Sequence, residues 1–112
     1  MRLRLALLGA AFAVPALAQP PAPAFAAANL TPQGVAAMAT GCAMCHGPRG
    51  VPVAGSNVAR LAGRSAQDLV QAMKDFGNGK REATIMDQIA RGFSDAEIAA
   101  LAAYFAAQKD AP

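Results

Sequence analysis

Cys42-Ala43-Met44-Cys45-His46 is the stretch on which the reading of this sequence turns. Its spacing, C-x-x-C-H, is that of a haem attachment sequence. On a helical turn, cysteines three apart present both thiols to one side. Each can then add to one of the two vinyl groups on a single haem edge. His46, next in the chain, can place one imidazole nitrogen on the iron from one face. Its other ring N–H should donate to a backbone carbonyl, which fixes the tautomer. Three other readings compete: a structural disulfide, a redox-active C-x-x-C pair, and half of a zinc site. A redox pair expects a βαβ setting, and no strand pattern is present. A four-ligand zinc site needs more donors than the two Cys and one His of this chain. A plain disulfide stays open for an exported protein.

Upstream of the motif, the chain begins like an export signal. Arg2 and Arg4 precede an uncharged apolar run from Leu5 to Val14, followed by Ala16-Leu17-Ala18, the small-x-small pattern of a cleavage site. The run is about ten residues long against the roughly 20 needed to cross a bilayer as a helix. The expectation is a signal peptide over 1–18, a periplasmic product and no stable membrane insertion. Ala26-Ala27-Ala28 offers a later cleavage place, as late as 28. Residues 19–30, rich in Pro and Ala, read as a flexible or polyproline-like lead-in, and one domain is expected over 31–112.

Composition narrows the class further. The formal charge of +3 falls to +1 without Arg2 and Arg4. No basic run or aromatic-basic interleaving is present, so no nucleic-acid partner is expected. The charge is uneven: Gln19–Gln67 holds three cations and no acid, and from Asp68 onward seven acids face five cations. Aromatic material is scarce, with no Trp, one Tyr (Tyr104), and Phe76, Phe93 and Phe105 in the domain. A domain below about 100 residues with so little core usually needs a metal, a disulfide or another insert. A large apolar prosthetic group would supply it.

Downstream and around the motif, the elements read as helices. Thr31-Pro32 is a helix start, a hydroxyl N-cap before a proline at the first helical position, and a helix to about Thr40 would deliver the chain into Gly41-Cys42. Residues 47–64, rich in Gly, Pro and Ser, read as an irregular loop. Ser65 with Asp68 is a variant capping box, followed by Leu69, Val70, Met73 and Phe76 at helical spacing and a stop at Gly77. Asn78-Gly79-Lys80-Arg81 is a turn. Ser94 with Glu97 opens a last helix to about Gln108, with Ile98, Leu101, Ala102 and Phe105 on one face. The fold class is all-α: three main helices around one covalently bound haem, with a short fourth near Met86–Ala90.

The sixth ligand needs a donor other than His, since His46 is the chain's one histidine. Met86 is the best candidate: it follows Thr84-Ile85 in a polar connection and has no helix stripe of its own. Met73 is the runner-up, but it falls on an apolar stripe where methionine is usually core filler. Met38, one turn before Cys42, reads as packing, and Met44 lies between the two attachment points. Iron held by His and Met has no open position, and its role is then to change oxidation state, with the thioether favouring the ferrous form. The alternative is a haem protein with an open distal site that binds a small ligand or does catalysis. A haem-free, disulfide-bonded secreted domain is the third reading.

The motif together with Leu61-Ala62-Gly63, Ser65 to Val70, Met73 to Phe76, Thr84-Ile85-Met86, Ile89 to Gly92 and Leu101 to Phe105 resembles class I cytochromes c. The narrower likeness is to the branch of cytochrome c4 and the haem subunit of flavocytochrome c sulfide dehydrogenase. The resemblance implies haem c bound through Cys42 and Cys45, His46 proximal and Met86 distal, first and last helices crossing beside the haem, and electron transfer rather than bond-making. It also implies redox partner proteins, a sulfide-oxidising flavoprotein subunit among the candidates. One departure concerns the residue two before the Leu-x-Gly step: many members have proline there, and this chain has Ala59. Gly47–Gly63 and Asn78–Thr84 are expected to wall the haem. Arg49, Arg60, Arg64, Lys80 and Arg81 are candidates for steering a partner or holding the haem propionates.

Overall fold

A computed structural model describes residues 30–109 and Ala111. The expected signal peptide (1–18) and most of the lead-in lie outside the described residues. Four α-helices and one short 3₁₀ turn make up the regular structure: α1 (Pro32–His46), the 3₁₀ turn (Pro48–Gly50), α2 (Ala66–Gly77), α3 (Met86–Arg91) and α4 (Asp95–Ala106). Among the described residues there is no strand, so the all-α expectation holds, with the short fourth helix in place.

The helix starts are those that the sequence marks. Thr31 Oγ1 accepts the Gly34 N–H at 3.1 Å, with Pro32 at the first position. Ser94 and Glu97 close a full capping box, Ser94 Oγ accepting from the Glu97 N–H at 3.2 Å and the Glu97 carboxylate accepting from the Ser94 N–H at 2.8 Å. At α2 one half of the box forms, the Asp68 N–H donating to Ser65 Oγ at 3.1 Å. The shorter Asp side chain lacks the methylene with which Glu reaches back in a capping box.

One boundary is corrected. The first helix does not stop near Thr40 but continues through the motif to His46. Gly41 lowers helix propensity by only about 1 kcal/mol, and the packing of Val35, Ala39 and Cys42 against the core carries the helix past it. The helix ends at Gly47, whose φ of +80° leaves the helical region; a Cβ there would sit 1.8 Å from the Val51 carbonyl oxygen.

The core is built by α1, α2 and α4: Val35 and Ala39, Leu69, and Leu101, Ala102 and Phe105 form its buried cluster. All four residues of the Ile98-Leu101-Ala102-Phe105 face of α4 belong to the buried set, and α4 packs on both α1 and α2, while α3 packs on α2. Gly50 seals the loop to this core. Its carbonyl accepts the N–H of Leu61 at 2.9 Å and of Ala62 at 3.1 Å, and its α-carbon lies so close to Phe105 that a Cβ would come within 2.8 Å of the ring. Among the described residues no large side chain is completely buried. The helices surround a space rather than fill it.

Candidate functional site

That space is a cavity of about 430 Å³ that contacts every helix and both expected loops. Cys42, Cys45 and His46 line it from the end of α1, where the helical turn sets the two thiols on one side. Cys42 is half-buried and Cys45 exposed, and the two are not joined in a disulfide. Burial pushes the Cys42 thiol above its ordinary value, against a smaller opposing pull from its backbone hydrogen bond.

His46 Nδ1–H donates to the Ala59 carbonyl at 2.7 Å. The carbonyl at the position where many class I cytochromes c, which the sequence resembles, have proline still receives the histidine N–H, although alanine supplies it. With Nδ1 engaged, Nε2 is the nitrogen left for a metal, which is how a ligating histidine is usually fixed.

Both methionine candidates reach the same cavity, Met73 from α2 and Met86 from the first position of α3. Met86 thus opens a helix rather than sitting in an unstructured connection. Met38 packs against the core cluster, and Met44 is 86% exposed. The remaining wall is apolar, with Leu69, Phe76, Ile89, Ile98, Leu101 and Phe105. From the loops come Asn57, Val58, Ala59 and Leu61 on one side and Arg81, Thr84 and Ile85 on the other.

The cations separate. Arg64 and Arg81 line the cavity, and the Arg81 guanidinium lies 4.8 Å from the centre of the Phe76 ring. Arg49 belongs to the 3₁₀ turn and Lys80 to the α2–α3 turn, its N–H donating to Asn78 Oδ1. Arg60 is turned to the chain's C-terminal end, with Nη2–H donating to the Ala111 carbonyl at 2.7 Å. It is therefore removed from the set facing the cavity. The sequence had no means of sorting these five, because each is a solvated cation in an irregular segment without a periodicity that assigns a direction.

The residues present fit a haem. Two thiols three apart, an imidazole with one nitrogen free, two thioethers and an apolar wall meet in one cavity, and two guanidinium groups offer partners for propionates. Among the described residues no helix is long and apolar enough to cross a membrane.

Comparison of the sequence with known proteins points to one family. A sequence model described as Cytochrome c matches residues 31–109. Cytochrome c4 of Pseudomonas aeruginosa is 40% identical over 73 residues, 65% of this chain and 36% of that protein. The cytochrome subunit of sulfide dehydrogenase of Chlorobaculum tepidum is 38% identical over 64 residues, 57% of this chain and 56% of that one. The thiosulfate dehydrogenase electron acceptor of Stutzerimonas stutzeri is 43% identical over 68 residues, 58% of this chain and 31% of that one. The chain thus spans about a third to a little over half of the length of these relatives. With its C-x-x-C-H motif at Cys42–His46, its all-α fold and the family match over 31–109, the chain belongs to the cytochrome c family, whose members bind haem c covalently and carry electrons.

Proposed function

We propose that this chain is a periplasmic mono-haem electron carrier that passes single electrons between partner proteins. In this reading residues 1–18 are a cleaved signal peptide, residues 19–30 a lead-in, and 31–112 the haem domain. Cys42 and Cys45 would form the two thioether links, and His46, through Nε2, and Met86, through its sulfur, would hold the iron. The observation that carries the reading is the meeting of Cys42, Cys45, His46 and Met86 on one apolar cavity, with His46 Nδ1–H already given to Ala59.

When bound, the haem supplies a one-electron couple. The chain's own residues set its conditions. His46 is held in one tautomer by the Ala59 carbonyl, which raises the basicity of its free nitrogen. A methionine sulfur as the second ligand would favour ferrous iron and raise the potential. Leu69, Ile98, Leu101 and Phe105 keep water from the buried part of the cavity, which acts in the same direction. Arg64 and Arg81 offset the charge of the propionates. Ile85, 56% exposed beside Met86, lines the cavity and offers apolar surface on which a partner can dock briefly. The relatives named as acceptor or cytochrome subunit of thiosulfate and sulfide dehydrogenases support a dehydrogenase acting on reduced sulfur compounds as that partner. A flavoprotein subunit fits this role.

The test is spectroscopic. Protein matured in a host that attaches haem c should carry one covalent haem. Its ferric form should show the weak long-wavelength sulfur-to-iron band, and its ferrous form should bind no carbon monoxide without denaturant. Absence of the band together with ready carbon monoxide binding would assign an open distal site instead, and colourless protein would refute the haem reading altogether.

A further inference from the structure

Arg60 lies outside the cavity, yet it adjoins the residue on which the histidine geometry depends. Its Nε–H donates to the Ala62 carbonyl at 3.3 Å and its Nη2–H to the Ala111 carbonyl at 2.7 Å. The second bond joins positions 51 apart, and Ala111 is itself buried, at 7% exposure. The preceding residue, Ala59, provides the carbonyl that accepts His46 Nδ1–H.

The backbone on either side of this carbonyl is held unequally. After it, the Leu61 and Ala62 N–H groups are fixed on the Gly50 carbonyl, and the Gly63 N–H on the Phe105 carbonyl at 3.0 Å. Before it, the bonds are local: the Val58 N–H to Ser56 Oγ and the Ser56 N–H to the Val53 carbonyl. Among the described residues, no backbone bond holds the N–H of Ala59 or Arg60. The peptide between these two residues can turn about ψ of Ala59 and φ of Arg60. Alanine also leaves free the φ of residue 59 itself, which proline would fix near −65°, so the backbone leading into this peptide is unrestrained as well. The forked guanidinium of Arg60, which donates in a rigid planar geometry, is the restraint next to that peptide.

We propose that Arg60 is a positioning residue for His46. Bridging Ala62 and Ala111, it holds the Ala59–Arg60 peptide so that the Ala59 carbonyl faces His46 Nδ1, and it thereby sets the strength of that hydrogen bond. A strong bond makes the imidazole more basic and favours ferric iron; a loosened one raises the potential. The inference rests on His46 being the iron ligand.

The sign of the effect separates this role from simple charge. Loss of a nearby cation, acting through space, disfavours the extra electron and lowers the potential. Loss of the positioning raises it. Arg60→Lys keeps the charge and the aliphatic stem but cannot bridge two acceptors with a fixed fork.

The experiment uses the holoprotein, read by solvent exchange of the His46 Nδ1 proton in the NMR spectrum and by the reduction potential. Arg60→Ala and Arg60→Lys should both speed that exchange by roughly tenfold, the ratio that a charge-assisted hydrogen bond is worth at its lower end, and both should raise the potential. Where Arg60→Ala fails to fold, Arg60→Lys alone decides. Exchange and potential at wild-type values in Arg60→Lys, or a fall in potential in Arg60→Ala, overturns the positioning role. A His46 ring without paramagnetic shift in the ferric wild-type protein instead overturns the ligation, and the positioning role with it.

Discussion

Gly50→Ala tests how tightly the loop that lines the cavity is sealed to the core. Gly50 has φ +81°, and a Cβ there would lie 2.8 Å from Phe105 Cδ1, 2.9 Å from Leu61 Cβ and 3.1 Å from the Ala62 nitrogen. The left-handed conformation costs an L-residue about 1–2 kcal/mol. The crowding adds about 1–3 kcal/mol, the usual cost of an extra methyl in a packed site. None of the three neighbours can yield cheaply. Phe105 is 3% exposed, and the other two atoms are backbone or next to it. Gly55 is the matched control, since its φ is +80° and a Cβ there meets nothing within 4 Å. Both substitutions also stiffen the unfolded chain by about 0.4–1 kcal/mol, which cancels in the comparison. Guanidinium unfolding of the holoprotein, followed by far-ultraviolet circular dichroism, should therefore place Gly50→Ala about 1–3 kcal/mol below Gly55→Ala. Leu61 and Ala62 must move to make room, so the His46 Nδ1 proton should also exchange faster in the first variant and not in the second. Equal stabilities for the two variants would refute the close-packed seal.

Other consequences of the structure can be tested separately. Met86→Ala should keep covalent haem, open the iron to carbon monoxide and lower the potential by a substantial part of the roughly 0.8 V over which axial ligands tune haem; a normal spectrum in this variant and its loss in Met73→Ala would transfer the role to Met73. Cys42→Ala with Cys45→Ala should give an unfolded or rapidly degraded chain, because the buried cluster lacks the mass to fold alone; a cooperative, helical, haem-free protein on a thermal melt would contradict this. Ser94→Ala removes the serine side of the α4 capping box and should cost about 1 kcal/mol, read from the denaturation midpoint, whereas a loss below a few tenths would mean that packing alone starts the helix. Lys80→Glu with Arg81→Glu should slow association with an acidic partner by roughly tenfold at low ionic strength and flatten its salt dependence, and unchanged stopped-flow rates would remove these cations from docking.

Local chemistry made much of this protein legible in one dimension. The C-x-x-C-H spacing, the Thr31-Pro32 start, the Ser94–Glu97 box and the Ile98 to Phe105 stripe each depend on residues within about one or two helical turns of one another, and the structure has each element where those residues put it. The all-α class followed from the same signals. Folding decided what depends on residues far apart in the chain. The first helix runs past Gly41 to His46 because tertiary packing outweighs a weak local propensity. Met73 and Met86 meet one cavity because α2 and α3 pack together. Arg64 and Arg81 turn to that cavity while Arg60 reaches a carbonyl 51 positions away. A short motif fixes which atoms can bond a haem, since bond angles and helical pitch act locally; the direction of a flexible cationic side chain is set only when the distant backbone that satisfies it arrives.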